Sequence, residues 1–232
     1  VGRFVRRAWT DLGGTLSGRT ITGTTPLDAR VLAAHAARAL PELVRDINKT
    51  SDNTLARLLF LSLGSLQGDP VDGSLALPSG EVTTFARADG AVRDWLRAQR
   101  IDDTGFVIDN GSGLSRIERI SAQQMGSLLQ AGLKSPWAPE FQASLPIGAV
   151  DGTMRRRLAG TPAAGRARLK TGTLRNVTAV AGYVPDANGN LCVVVAMVNS
   201  ERAGDGRGRA VLDALVDWVA RSGTTSAVAA QR

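Results

Sequence analysis

The chain has 232 residues, 43% of them hydrophobic, and carries a formal net charge of +7 from 28 lysines and arginines against 21 acidic residues. That is enough apolar material for one large domain or two small ones, and no apolar run reaches the roughly 18 to 20 residues that a membrane span needs. The single cysteine, Cys192, excludes an internal disulfide. With a single histidine, His35, it also excludes metal clusters of the Cys/His type and leaves a Ser-His-Asp triad unsupported.

The positive charge raises the question of nucleic acid, but no zinc finger, RNP signature or basic zipper accompanies it and aromatics make up only 4% of the chain. The arginines, including Arg155 to Arg157, are expected to form a solvated basic face, which leaves an acidic polymer as a partner class. Neither a metal nor a cofactor is expected. The start, Val1 to Arg7, has no initiating methionine, no apolar signal core and no small-residue cleavage site, so the chain reads as the inside of a longer protein.

In chain order, Phe4, Val5, Ala8, Trp9 and Leu12 repeat at helical spacing and stop at Gly13-Gly14; Thr20 to Thr22 is expected as a brief strand. Residues 41–47 read as a second helix. Ser51 or Asp52 is placed to cap a third, whose Leu55, Leu58, Leu59 and Leu63 end at Gly64. A polar loop is expected from Gly68 to Gly80, then a helix marked by Val92, Trp95 and Leu96. Val107-Ile108 reads as a short strand running into the turn-rich Asp109-Asn110-Gly111-Ser112-Gly113. Ser121 caps a helix through Met125, Leu128, Leu129 and Leu133.

From Arg166 the period changes to that of strands: residues 167–173, then 177–184, a turn over 185–190 holding Asn188-Gly189, and 191–199 with Cys192 as a buried small hydrophobe. Val211, Leu212, Leu215, Val216 and Val219 close the pattern as a helix, before a polar tail after Ser222 expected to lack order. Helices followed by an antiparallel sheet and a covering helix make an α+β arrangement, with no repeat and no evident interdomain linker.

Two short motifs stand out. Lys170-Thr171-Gly172 lies in a predicted strand, where an ammonium, a hydroxyl and bare backbone stand side by side and suit a carboxylate-bearing substrate. The chain has only three lysines, so this tripeptide is an uncommon coincidence. Ser51-Asp52-Asn53 alone reads better as a helix N-cap. In this order, however, the two are the second and third elements of the motif set of β-lactamases and penicillin-binding proteins, whose first is Ser-x-x-Lys.

With Ile47 to Asn53, Asp109 to Ser115, Asp151-Gly152-Thr153 and Leu169 to Leu174, nearly the whole chain resembles the class C, carboxypeptidase/endopeptidase-type penicillin-binding proteins. The resemblance implies part of a penicillin-binding, serine β-lactamase-like transpeptidase fold, with an antiparallel sheet flanked by helices. It implies a periplasmic D-alanyl-D-alanine carboxypeptidase acting on peptidoglycan stem peptides through an acyl-enzyme, with β-lactams acylating the same serine. Under it Ser51 relays a proton to the leaving amine, Asn53 binds the substrate amide carbonyl and steadies the lysine of the first motif, and Lys170 supports both. Thr171 takes the terminal carboxylate, the Thr173 amide contributes half of the oxyanion hole, and Gly172 gives clearance. No role follows for Asp109 or Ser112 beyond a tight turn.

The chain departs from the pattern in one respect: Asp46, Ala131 and Ala167 stand three places before its lysines, so it holds no Ser-x-x-Lys. Residues 1–232 are therefore expected to be the C-terminal portion of the domain, partnered by an N-terminal part that carries the nucleophile, and inactive alone because Ser51 has no adjacent base. The other readings are a serine β-lactamase and a non-catalytic cell-wall binding module.

Overall fold

The computed structural model describes residues 2–24, 26, 28–30, 38–69, 73–78 and 80–223. The chain forms two compact units, residues 1–37 and 38–232. His35 and the tail from residue 224 lie outside the described residues.

In the first unit, α1 (Gly2–Asp11) is the amphipathic helix expected, stopped where Gly13 turns with φ +85°. Arg6 donates to the carbonyls of Leu16 and Gly18, and the Trp9 indole donates to Thr15, so the following segment folds back on the helix. Thr20 to Thr22 is not a strand: the segment pairs with no ladder partner among the described residues.

The second unit opens with α2 (Leu40–Thr50), where Pro41 sits in the first turn that tolerates its missing N–H. Ser51 ends α2 in the left-handed region, φ 59° and ψ 49°, and its amide donates to Ile47. One residue later α3 (Asn53–Ser65) begins, capped by Asp52 Oδ1 accepting from the Leu55 amide at 2.8 Å. Asp52 is thus the cap, and Ser51 closes the helix before.

Gly64 was expected to stop α3, yet the helix runs through it. A Cβ there would lie 2.1 Å from the Thr84 carbonyl oxygen, so the glycine lets α3 pack onto α4 (Thr84–Ala98). The expected loop from Gly68 is instead partly a hairpin: β1 (Leu66–Asp69) pairs antiparallel with β2 (Gly73–Ala76). Val107 makes a single bridge to Arg119 in place of a strand. α5 (Ala122–Lys134) starts on a capping box between Ser121 and Gln124, and α6 (Ala138–Ser144), unanticipated, packs against α2.

The core lies about the three-stranded antiparallel sheet β3 (Arg168–Leu174), β4 (Val177–Pro185) and β5 (Leu191–Asn199), in that order. α7 (Arg207–Arg221) covers one face, burying Leu212, Val216 and Ala220 on Leu169, Val180, Val184 and Val194. On the other face, Leu129 and Met125 of α5 and Phe141 of α6 pack around Tyr183, whose buried hydroxyl donates to the Leu129 carbonyl at 2.7 Å. Burial pushes that hydroxyl up to about 12. Cys192 is half-buried at the rim of the first cluster.

Successive side chains alternate between these faces. Lys170, opposite Ala181, therefore belongs to the α5 side, whereas Thr171, opposite Val180, belongs to the α7 side. No helix among the described residues is long and apolar enough to cross a membrane.

Candidate active site

A cleft of about 510 Å³ opens where the α2–α3 junction meets the outer edge of β3, beyond the bridge that Ile147 makes to Arg168. All six expected site residues, Ser51, Asn53, Lys170, Thr171, Gly172 and Thr173, line it. Ser51 is presented there by its left-handed backbone, a conformation that costs a residue with a Cβ about 1 kcal/mol or more. Lys170 Nζ donates to Ser51 Oγ and to the Thr171 carbonyl, both at 2.8 Å, across 119 residues of sequence in the first case. Burial lowers the Lys170 pKa from the ordinary lysine value. The arrangement is a partly desolvated ammonium bonded to a hydroxyl, the pairing through which a proton can pass to a bound group.

Asn53 stands at the first helical position of α3, and its amide makes no hydrogen bond among the described residues. Gly172 has nothing closer than the Ala179 Cβ, at 3.8 Å, to where a Cβ would stand. No protein neighbour demands a glycine here, so the room it leaves is room on the cleft side.

No role for Asp151-Gly152-Thr153 follows from the sequence, and the structure supplies one. Lys49 Nζ donates to Asp151 Oδ2 and to the Leu145 carbonyl, each at 2.7 Å, and Asp151 Oδ1 accepts from the Ile147 amide at 2.7 Å. Burial alone would raise the Asp151 carboxyl, but the bonds from Lys49 and Ile147, with the Lys49 and Arg168 charges, hold it below its usual range. Gly152, at φ +53°, lies so close to the Lys49 carbonyl that a Cβ would come within 2.7 Å of it. Thr153 Oγ1 accepts from Thr171 Oγ1 at 2.9 Å, and Asn48 Nδ2 donates to Ser144 Oγ at 2.8 Å. Asp151 to Thr153 is therefore the clamp that joins the end of α2 to β3. Lys49, a largely buried cation just before Ser51, needs that carboxylate, a requirement that only the fold reveals.

Asp109 to Ser115 forms the opposite wall as a tight turn. Asn110 Oδ1 accepts from the Ser112 amide, the Asn110 carbonyl accepts from Arg57, and Gly111, at φ +71°, lies flat on Phe60, where a Cβ would be 2.5 Å from the Phe60 Cβ. Gly111 to Leu114 line the cleft, with no acid or base of this segment at Ser51 or Lys170. Arg155 and Arg156 are exposed as expected, but Arg157 is not a surface charge. It is 9% exposed and donates through Nε and Nη2 to Asp213 Oδ1 of α7, because a buried guanidinium requires a paired anion.

The sequence profile of the D-Ala-D-Ala carboxypeptidase 3 (S13) family matches residues 1–222. A D-alanyl-D-alanine carboxypeptidase of an Actinomadura species is 33% identical over 211 residues, covering 88% of this chain and 37% of that protein. The D-alanyl-D-alanine carboxypeptidase DacB of Haemophilus influenzae is 28% identical over 204 residues, covering 87% of this chain and 40% of its own. The crystal structure of penicillin binding protein 4 from Haemophilus influenzae, complexed with a β-lactam, superposes with a TM-score of 0.76 at 27% identity, over 93% of this chain and 48% of that one. The chain thus spans about two fifths of the length of these curated relatives.

Proposed function

We propose, from the premise that this chain belongs to the D-Ala-D-Ala carboxypeptidase 3 (S13) family, that it is the C-terminal portion of a periplasmic serine-type D-alanyl-D-alanine carboxypeptidase or endopeptidase. Its substrates are peptidoglycan stem peptides, and β-lactams acylate the same serine. That serine lies in a Ser-x-x-Lys on the N-terminal part of the same protein, which is this chain's partner in the working site. The observation that carries the reading is the hydrogen bond from Lys170 to Ser51, which unites the second and third motifs at one cleft with Asn53.

In that site the attacking serine is deprotonated by the lysine of its own motif, steadied by the Asn53 amide. The tetrahedral oxyanion is held in part by the Thr173 amide. Ser51 passes its proton to the departing amine and regains one from the first motif's lysine, which thereby gives up the proton it took from the attacking serine, while the Lys170 ammonium stabilises the hydroxyl's developing negative charge. The hydroxyl of Thr171 receives the substrate's terminal carboxylate beside the same ammonium, and Gly172 admits its backbone.

Intact mass spectrometry after incubation with benzylpenicillin tests this. The complete protein gains one penicilloyl group, residues 1–232 alone gain none, and Lys170→Ala slows acylation of the complete protein at least a hundredfold. Rapid loss of the adduct with penicilloate release would indicate a β-lactamase. No adduct on the complete protein would leave a cell-wall binding module.

A further inference from the structure

A second cleft, of about 500 Å³, lies on the other side of the wall formed by Thr153, Thr171 and Thr173, away from Ser51 and Asn53. Three cations line it: Arg155 and Arg156, just after the Asp151–Thr153 clamp, and Arg209 in the first turn of α7. All three are exposed, and none makes an ion pair or side-chain hydrogen bond among the described residues. The remaining charges facing the cleft, Arg157 and Asp213, neutralise each other in their buried pair. Its net charge is therefore three positive.

The placement of Arg209 adds to this. The first turn of α7 has no acidic residue, so Arg207 and Arg209 stand at the positive end of the helix dipole, where a cation weakens the helix. Arg207 is offset by Asp205 at 3.4 Å, whereas Arg209 has no such partner. An arginine set against its own helix, together with two others and no counter-ion, is a field arranged for an anion from outside. The planar guanidinium fork matches a carboxylate in two parallel hydrogen bonds.

We propose that this arginine-lined cleft is a carboxylate subsite on the leaving-group side, which takes an acidic side chain on the residue that departs from the substrate. The assignment rests on the proposed function: with the terminal carboxylate at Thr171, a side chain of that departing residue is the part of the peptide that reaches past the threonine wall. The cleft then selects leaving residues with two carboxylates over leaving alanine.

The test compares the complete protein on two peptides identical up to the first D-Ala and ending in D-Ala or D-Glu. The kcat/KM ratio, D-Glu over D-Ala, is expected to be about fivefold at low salt, the scale of two exposed ion pairs, and to shrink as salt is added. In Arg156→Gln/Arg209→Gln the ratio falls to about one. In Lys134→Gln/Arg221→Gln, which removes the same charge and places one change at the far end of α7, it stays. A ratio of one in the unmodified protein, or one that survives in the first variant, overturns the subsite.

Calorimetric binding of the same two peptides reads the subsite without turnover. Tighter binding of the D-Glu peptide, lost in the first variant, supports it, and equal affinity overturns it. Discrimination in binding without penicillin acylation would sink the hydrolase reading and leave the carboxylate site standing.

Discussion

Ser51 shows how much of the site is written into single residues. Its hydroxyl needs a particular direction, and the backbone obtains it by entering a region that disfavours any side chain with a Cβ. The cost can be isolated by comparing two variants that both lose the hydroxyl. Ser51→Gly is expected to be more stable than Ser51→Ala by about 1 kcal/mol, the reverse of the usual order of these residues. Thermal melts of the two complete proteins read this as a gap of roughly 2 to 4 °C; an alanine variant as stable as the glycine one would mean that no strain is held there. Lys170 is a further local cost, since its burial disfavours its own charge.

Between elements, the Lys49–Asp151 pair decides whether the α2–α3 junction and β3 stay in register. The Asp151 carboxyl is held below its unfolded value of about 3.9, so the stabilisation is present above that pH and is lost as pH falls through the lower, folded value. Asp151→Asn should lose about 1 kcal/mol at pH 7, the scale of a partly exposed pair, and should show a shallower fall in thermal midpoint below about pH 4. Parallel acid limbs for the two proteins would remove Asp151 from the account.

Sequence was a good guide to the elements wherever periodicity was long. Residues 191–199 form a strand with those bounds, and α5 begins at the cap that Ser121 promised. It misled where a glycine served packing, as at Gly64. It also failed for elements too short to establish a period, as with the β1–β2 hairpin and α6. The six expected residues that line the cleft stood out in the sequence because each motif is contiguous. The clamp did not, because Lys49 and Asp151 meet only through the fold.

At the scale of the molecule, the sheet ends on one side at β3, which borders the cleft, and on the other at β5, whose outer edge pairs with no strand among the described residues. The outward-facing backbone groups of this nine-residue strand, rich in valine, form a template for another strand. Residues 1–232 expressed alone should therefore self-associate with rising concentration and melt broadly, and should become monodisperse when the proposed N-terminal part is supplied in trans. Sedimentation velocity with and without that part checks this; a monomer with a sharp, high-temperature melt would refute it.

The junction of α2 and α3 has one more consequence. A single left-handed residue and one cap separate two helices, and each is also held away from that junction, α2 where Leu40, Pro41 and Val44 face α6, α3 by Gly64 against α4. Adding or deleting one residue in either helix would swing Ser51 about its axis by about 100°. Homologous chains should therefore vary in length at the β1–β2 hairpin and keep their residue count through α2 and α3, because here length is measured as an angle.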